Sequence, residues 1–457
     1  MTRATALQIY KHLPGKDCAR CGEKTCMAYA MRLSRGEKTK ECPLLAQKQR
    51  AIIKELLSPA VAIVKIGSKE NAIKVGGEEV LYRHEYKYVN PPALFIEISD
   101  DMPIEEIDRR IEFVKNYETE RLGKKQRLDG IAAECASGNK NRFTETIERI
   151  SKKFNGPLIL SAELPDNIEA GLSNVKDIKP MIYAASSDNW KEMLRIAEKY
   201  KTPLAIRSSN PLSLRKLAKD ISSKGFTDLV LDPATSDRND MPGIVDELTL
   251  IRKSAVDGIK ESGYPLIGVT TSIYKKEKNQ DNCSYEESLL AGLLVCRYAS
   301  IIVMRTTEPW ALLPVLTLRQ SLYSDPSAAP SVEATLYSVG TPDKDSPLIV
   351  TTNFALTYYS VSNDLGGAGI SAHILVVDTG GLAVTVALAA EKFTASAIKE
   401  ALAKSKIEEK IRHKKMIIPG AACQLKTDLE TATGWTVLTG PQDSSALQAY
   451  LKENWKT

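Results

Sequence analysis

The chain reads as an α/β protein in three successive parts, on three observations. Four of its eight cysteines fall between residues 18 and 42. Eight short apolar runs then recur at intervals of about 22 to 37 residues from Ala93 to Met304, with amphipathic stretches between them. A last stretch of about 110 residues alternates again, and its apolar runs end in loops of small residues. The first feature marks a metal or cluster module, the second a (β/α)8 TIM barrel, the third an open, doubly wound, Rossmann-like sheet. A chain of 457 residues has room for two or three domains.

The cysteines run Cys18, Cys21, Cys26 and Cys42-Pro43, in the order C-x2-C-x4-C-x15-C-P. The first three can wrap one face of a cluster, with Gly22 letting the backbone pass close to inorganic sulfide. A helix over Thr25 to Ser34 then returns the chain so that Cys42 closes the fourth corner. That is four-cysteine ligation of the [4Fe–4S] kind. Two other readings compete. Structural zinc usually takes two CxxC knuckles, and only one pair here has that spacing. Disulfides suit small secreted domains, whereas this chain opens Met-Thr-Arg-Ala-Thr-Ala-Leu without an apolar signal segment. The cluster reading is the stronger, and the expected compartment is a reducing cytoplasm. Cys135, Cys283, Cys296 and Cys423 are scattered and read as buried or inert thiols.

Composition excludes several classes of function. With 43% apolar and 26% charged residues the chain is globular. Leu365 to Ala390, the longest weakly polar stretch, is broken by Asp378 and two Gly-Gly pairs, so no membrane span is expected. Residues 1–56 carry twelve Lys or Arg against five acids, a formal +7, leaving −2 on the other 401. Cations near an anionic cluster favour its reduced form; a solvated basic face, open to an acidic electron donor, is the plainer account. Nucleic acid is not expected, because the basic residues lack aromatic interleaving.

Residues 1–57 form the cysteine module, ending in a helical run from Leu45 to Leu57. Residues 58–92 form a linker in which Lys74-Val-Gly-Gly-Glu-Glu-Val-Leu suggests a hairpin turning on Gly-Gly. Residues 93–322 are the barrel, with strands expected at Ala93, Leu128, Pro157, Met181, Leu204, Leu229, Leu266 and Ile301. Polar residues follow several strands: Ser99-Asp100, Ser186-Ser187-Asp188, Ser208-Ser209-Asn210, Asp232 and Arg305-Thr306-Thr307. Barrels carry sites at that mouth, but helix N-capping explains these residues more simply. Residues 323–346 are rich in Ser, Pro and Ala and read as a linker. Residues 347–457 hold strands at Leu348, Ala372, Lys415 and Trp435. Their loops, Thr351-Thr352-Asn353, Asp378-Thr379-Gly380-Gly381, Pro419-Gly420-Ala421-Ala422 and Gly440-Pro441, suit a large flat ligand that needs close backbone approach.

The cysteine module and barrel, joined to Val350–Tyr359 (VTTNFALTYY), Val376–Leu382 (VVDTGGL), Ile417–Gly420 (IIPG) and Gly434–Pro441 (GWTVLTGP), carry a resemblance over essentially the whole chain. It resembles the large, gamma-type subunits of the corrinoid iron–sulfur proteins of acetyl-CoA decarbonylase/synthase systems. The resemblance implies a methyltransferase component with a C-terminal corrinoid-binding domain. Its cobalt would take a methyl group as Co(I) from a methyl-tetrahydropterin and pass it as methyl-Co(III) to acetyl-CoA synthase, or the reverse. A [4Fe–4S] cluster on Cys18, Cys21, Cys26 and Cys42 would reduce stalled Co(II), the chemistry staying at cobalt with no side chain catalytic. Implied partners are a small (delta) subunit completing a heterodimer, a pterin-dependent methyltransferase, acetyl-CoA synthase and an electron donor such as ferredoxin.

On this reading Thr351, Thr352, Asn353 and Thr357 lie near the corrin face or its amide edge. Thr379, Gly380, Gly381, Leu382, Gly420 and Ala421 bind its tail and side chains. Many methionine-synthase-like corrinoid proteins ligate cobalt through the His of a D-x-H-x-x-G motif. None of His12, His84, His373 and His413 stands in one, and His373 reads as an ordinary strand histidine. A corrinoid without a strong lower ligand is easier to reduce, which fits a reactivating cluster. The alternatives are an iron–sulfur electron-transfer subunit without corrinoid, or a zinc-organised assembly protein.

Overall fold

Parallel pairing of eight consecutive apolar strands closes a barrel in the computed structural model, which describes residues 4–37, 39–86, 88–235, 241–275, 279–325 and 329–455. The chain divides into two compact units: Met1–Glu118 with Arg127–Ser324, and Thr119–Gln126 with Asp325–Thr457.

In the first unit, helices α1 (Ala6–Tyr10), α2 (Cys26–Ser34) and α3 (Gln47–Leu56) build the cysteine module. Thr5 and Thr25 start the first two as side-chain N-caps. A short antiparallel hairpin follows, β1 (Val64–Ile66) and β2 (Ile73–Val75). Its turn is not the Gly-Gly expected from the sequence, because Gly76 and Gly77 come after the second strand. They are needed for close approach: a Cβ on Gly76 would lie 2.2 Å from the Ala62 carbonyl oxygen, and Gly77 N–H donates to Val61 O. Val64, Ile66 and Val75 join the barrel's interior cluster. Bonds from Gly67 N to Lys179 O and from Ala62 N to Gly263 O tie this segment just ahead of two barrel strands, at their amino ends.

The barrel itself begins with β3 (Ala93–Ser99) and α4 (Ile104–Asn116). Between residues 116 and 130 the chain makes a two-stranded excursion, β4 (Glu118–Arg121) and β5 (Lys124–Arg127), most of which groups with the second unit. The barrel resumes with β6 (Gly130–Glu134), α5 (Lys140–Lys153), β7 (Leu158–Ser161), α6 (Pro165–Val175), β8 (Met181–Ala185) and α7 (Trp190–Tyr200). It closes through β9 (Leu204–Arg207), α8 (Pro211–Ser222), β10 (Leu229–Asp232), α9 (Met241–Val256), β11 (Leu266–Val269), α10 (Gln280–Cys296), β12 (Ala299–Met304) and α11 (Pro309–Leu322). Pairing of β12 with β3 completes the ring. Strand alternation sends Phe95, Ala132, Ile159, Met181, Ala205, Val230, Ile267 and Ile301 inside, while the neighbours between them pack outward against the helices.

The second unit is a five-stranded sheet in the order β13 (Leu336–Val339), β15 (Ala372–Val377), β14 (Leu348–Thr352), β16 (Lys415–Ile418), β17 (Thr436–Thr439). All neighbours are parallel except β13 and β15. The sequence left β13 unread inside its linker; Leu336–Val339 is a half-buried edge strand without a strong apolar run. Leu348, Val350, Met416 and Val437 pack on one side with α13 (Val384–Ala389), α14 (Ala395–Ser405) and α15 (Lys426–Thr433). Ile349, Ile374 and Ile417 pack on the other with α12 (Ala355–Gly367) and α16 (Leu447–Asn454). Apolar residues on both faces explain why these strands read as continuous runs.

Candidate functional site

Three of the four cysteines share one apolar cluster built by local turns and short helices. Residues 11–25 link α1 to α2, with Asp17, Ala19 and Gly22 at φ 42°, 56° and 93°. An alanine in that left-handed region is strained. Thr25 caps α2 so that Cys26 is its first residue, at the positive end of the helix dipole. The Cys26 N–H donates to Asp17 Oδ1 at 2.6 Å, and the Cys42 N–H to the Tyr29 hydroxyl at 3.3 Å. Cys21, Cys26 and Cys42 are buried together with Ile9, Leu13, Tyr29, Leu45 and Ile53, while Cys18 is exposed. Among the described residues, no three His, Cys, Asp or Glu side chains gather as ligands of a single ion. Four soft thiol donors, three buried against an apolar wall, with Cys26 among them at a dipole terminus, and Cys18 exposed, are a donor set that fits an iron–sulfur cluster. Of the other four thiols Cys283 is buried and Cys135 and Cys296 are half-buried, but Cys423 is exposed, so of the expected alternatives, buried or inert, burial does not hold for it.

In the C-terminal unit β14 pairs with both β15 and β16, so the chain leaves β14 first to one side and later to the other. At that topological switch point, beyond the carboxyl ends of the strands, lies a cavity of about 420 Å³, within the range of small-molecule sites. Ile349, Val350 and Ile417 give it an apolar floor, and Thr351, Thr357, Ser360, Thr385, Gln442 and Ser444 supply polar groups. Thr351 is 1% exposed, and its hydroxyl has no hydrogen-bond partner among the described residues. A cavity of this size covers only part of a tetrapyrrole, yet the apolar floor, small-residue rim (Pro419, Ala421, Gly440) and orphaned hydroxyl fit one edge or face of such a ring.

Of the ten residues named from the sequence, Thr351, Thr357 and Ala421 line this cavity. The others are placed differently. Asn353 Oδ1 accepts from Thr379 N, Thr379 Oγ1 and Gly381 N at 2.9–3.0 Å, and its amide donates to Asp378 Oδ1. Thr379 also donates to Leu382 O, so Asn353 and residues 378–382 form a self-satisfied loop lock. A Cβ on Gly420 would lie 2.8–2.9 Å from the Gly440–Pro441 backbone, which makes that glycine a packing requirement. Thr352 is buried with an unpartnered hydroxyl but is not among the cavity's lining. Ser360, Thr385, Gln442 and Ser444 were missed, lying on helices or loops whose position only the sheet order reveals. His373 is buried at the amino end of β15, level with Leu348, and His413 lies edge-on to Trp455. No histidine lines the cavity among the described residues.

The barrel mouth is more polar than its loops implied. Continuing the inward alternation turns Glu97, Glu134, Ser161, Tyr183, Arg207, Asp232 and Arg305 inward toward the carboxyl ends of their strands, at and above the edge of the apolar interior. Arg305 lies 3.2 Å from Glu97 and Arg207 3.4 Å from Asp232, which also accepts from the Tyr183 hydroxyl and Thr235 N. Burial and the neighbouring Glu134 push the Glu97 carboxyl up to about 8; burial likewise raises Asp232 and Glu287. Glu287 accepts from Thr270, Arg305 N and Thr306 N. N-capping holds at Asn210, which accepts from Leu212 N and Ser213 N. The layer is internally paired, and Glu97 was legible as an acid inside an apolar strand.

A thiol-rich module, a closed (β/α)8 barrel and a doubly wound sheet with a cavity at its switch point define a multidomain α/β protein. Residues 63–451 match a family described as the CO dehydrogenase/acetyl-CoA synthase delta subunit, and residues 13–44 match an Fe-S cluster family. The chain is 39% identical to the acetyl-CoA decarbonylase/synthase complex subunit gamma of Methanothermobacter thermautotrophicus, over 98% of each chain. It is 38% identical to the subunit gamma of Methanopyrus kandleri, over 99% of this chain and 98% of that one. The chain belongs to this family of acetyl-CoA decarbonylase/synthase complex gamma subunits. A dihydropteroate synthase from Thermus thermophilus aligns with 57% of this chain and 100% of its own, at 14% identity and a TM-score of 0.40, too distant to bear on more. No helix among the described residues is long and apolar enough to cross a membrane.

Proposed function

We propose that the chain is a corrinoid-bearing methyl carrier with its own reducing cluster, divided into a cluster domain (1–57), a hairpin linker (58–92), a TIM barrel (93–322), a second linker (323–346) and a corrinoid domain (347–457). The observation that carries this reading is the switch-point cavity with the orphaned Thr351 hydroxyl at its wall, in a chain whose N-terminal module buries Cys21, Cys26 and Cys42 in one apolar cluster and leaves Cys18 exposed.

The bound corrinoid supplies a cobalt that accepts a methyl group from a methyl-tetrahydropterin and yields it to acetyl-CoA synthase, or the reverse, and the cluster supplies the electron that restores oxidised cobalt. The residues of this chain do the holding. Ile349, Val350 and Ile417 exclude water from one side of the ring, and Thr351 and Thr357 offer hydroxyls to its polar periphery without ligating the metal. Among the described residues no imidazole lines the cavity, so these residues would hold a corrinoid by its periphery. Cys18, Cys21, Cys26 and Cys42 hold the cluster. A small (delta) subunit covers the rest of the ring, which a cavity of about 420 Å³ leaves open; the setting is cytoplasmic.

Metal analysis of chain purified without oxygen tests this. One cobalt with four irons supports the proposal. Iron alone points to an electron-transfer subunit without corrinoid, and zinc alone to an assembly protein.

A further inference from the structure

The excursion between α4 and β6 carries a single apolar side chain. From Glu118 to Arg127 the chain reads Glu-Thr-Glu-Arg-Leu-Gly-Lys-Lys-Gln-Arg, and only Leu122 is apolar. β4 and β5 form a sheet of two strands, which is marginal in water by itself. The turn weakens it further. Leu122 and Gly123 take φ 53° and 69°, a left-handed pair that two-residue hairpins usually fill with Asn-Gly or Gly-Gly. A leucine there is strained, so contacts outside the hairpin must offset it.

Those contacts lie at the tip, on the outer side of α12. Leu122 is half-buried against the cluster that includes Tyr337, Tyr358 and Tyr359. The Gly123 N–H donates to the Tyr359 hydroxyl at 2.6 Å, and a Cβ on Gly123 would stand 3.8 Å from Val332. The three tyrosine rings meet in series, with centroids 4.6 and 5.0 Å apart. Helical spacing puts Tyr358 and Tyr359 on the side of α12 opposite Leu356, Thr357, Ser360 and Val361, the four that line the cavity. Of the thirteen residues of α12 only Ala355, Val361 and Leu365 are buried, so its own packing is thin. The root of the hairpin is firm. Arg319, 7% exposed, donates to Arg127 O, Pro92 O and the Asp129 carboxylate, and Glu118 pairs with Arg127.

Taking the cavity's ligand to be the corrinoid proposed above, we propose that this hairpin is a brace. Leu122 and Tyr359 are positioning residues: neither lines the cavity, and together they hold α12 so that its inner side keeps the shape that admits the ligand. The strained turn is retained because Leu122 is the side chain that docks.

The test uses the full-length chain, with cobinamide as probe. Arg121, Lys124 and Lys125 are tryptic sites at the hairpin, and cleavage by limiting trypsin follows the undocked fraction. Leu122→Ala keeps the strained turn and removes most of the apolar contact, so it should be cut about five- to tenfold faster than wild type. Leu122→Met should restore the wild-type rate. In Leu122→Ala and in Tyr359→Phe, amide exchange should quicken across α12 but not across α15. Cobinamide affinity, read by absorbance titration, should weaken at least about threefold in both. Equal cleavage of Leu122→Ala and wild type would overturn the brace, since the hairpin would then stand by itself. So would faster cleavage with α12 exchange and cobinamide affinity unchanged, or exchange that rises equally in α15. A wild-type chain that takes up no cobinamide would instead remove the corrinoid reading, while cleavage and exchange would still decide whether the hairpin holds α12.

Discussion

Thr351, the penultimate residue of β14, borders the cavity, 1% exposed, with a hydroxyl that finds no partner among the described residues. A buried hydroxyl left unpaired costs about 1–3 kcal/mol. Thr351→Val removes that cost while keeping shape and β-branching, so the strand is not weakened. In the corrinoid-free chain the substitution should therefore stabilise the C-terminal unit by about 1 kcal/mol, raising its calorimetric midpoint by roughly 3 °C for a unit of this size. Binding should move the opposite way. If Thr351 hydrogen-bonds the corrin periphery, losing that bond costs about 1 kcal/mol, and an absorbance titration with cobinamide should show roughly fivefold weaker affinity. Thr352→Val is the comparison, since Thr352 is equally buried and unpaired but does not line the cavity; it should stabilise and leave binding alone. Thr351→Val that destabilises the unit and binds cobinamide unchanged would refute both the orphaned hydroxyl and its role.

Cys21→Ala should empty the chain of its four irons and block reductive activation, while methyl transfer from chemically pre-reduced corrinoid persists; activation at the wild-type rate would remove the cluster from the scheme. Asn353→Ala strands the buried Thr379 and Gly381 N–H donors and should cost about 2–5 kcal/mol in urea unfolding, with Asn353→Asp, which keeps the acceptor, losing less. Glu97, with a folded pKa of about 8 against an ordinary 4.5, binds a proton in the folded state that the unfolded chain has released. Its contribution is most favourable below pH 4.5 and is lost as pH rises through 8. Glu97→Gln should therefore raise the melting temperature more at about pH 9 than at about pH 5, and parallel melting curves would contradict the buried acid pair.

Much of the architecture was legible because it is written in local periodicity. Every expected barrel strand formed, since apolar runs at βα spacing have few other ways to be buried, and the same held for β14, β15, β16 and β17. What escaped was structure with little apolar signal of its own. The edge strand β13 is half-buried and was read as linker, and the 119–126 excursion pairs mostly polar residues. Gly76-Gly77 looked like a hairpin turn because Gly-Gly usually is one, but here it lets two backbones approach.

The cysteine quartet was readable as a donor set because thiols within 25 residues can meet through local turns alone. Membership of the C-terminal loops in a site was not, since small residues serve ligands and loop packing equally well. Tertiary structure divided them: Thr351, Thr357 and Ala421 border the cavity, while Asn353 and residues 378–382 lock one another. The order of strands about β14 made that division, and with it the recruitment of Ser360, Thr385, Gln442 and Ser444. Spacing along a chain can specify which residues are apolar or thiol-bearing. Which distant loops share a rim depends on how far strands cross over, and that is settled only when the sheet assembles.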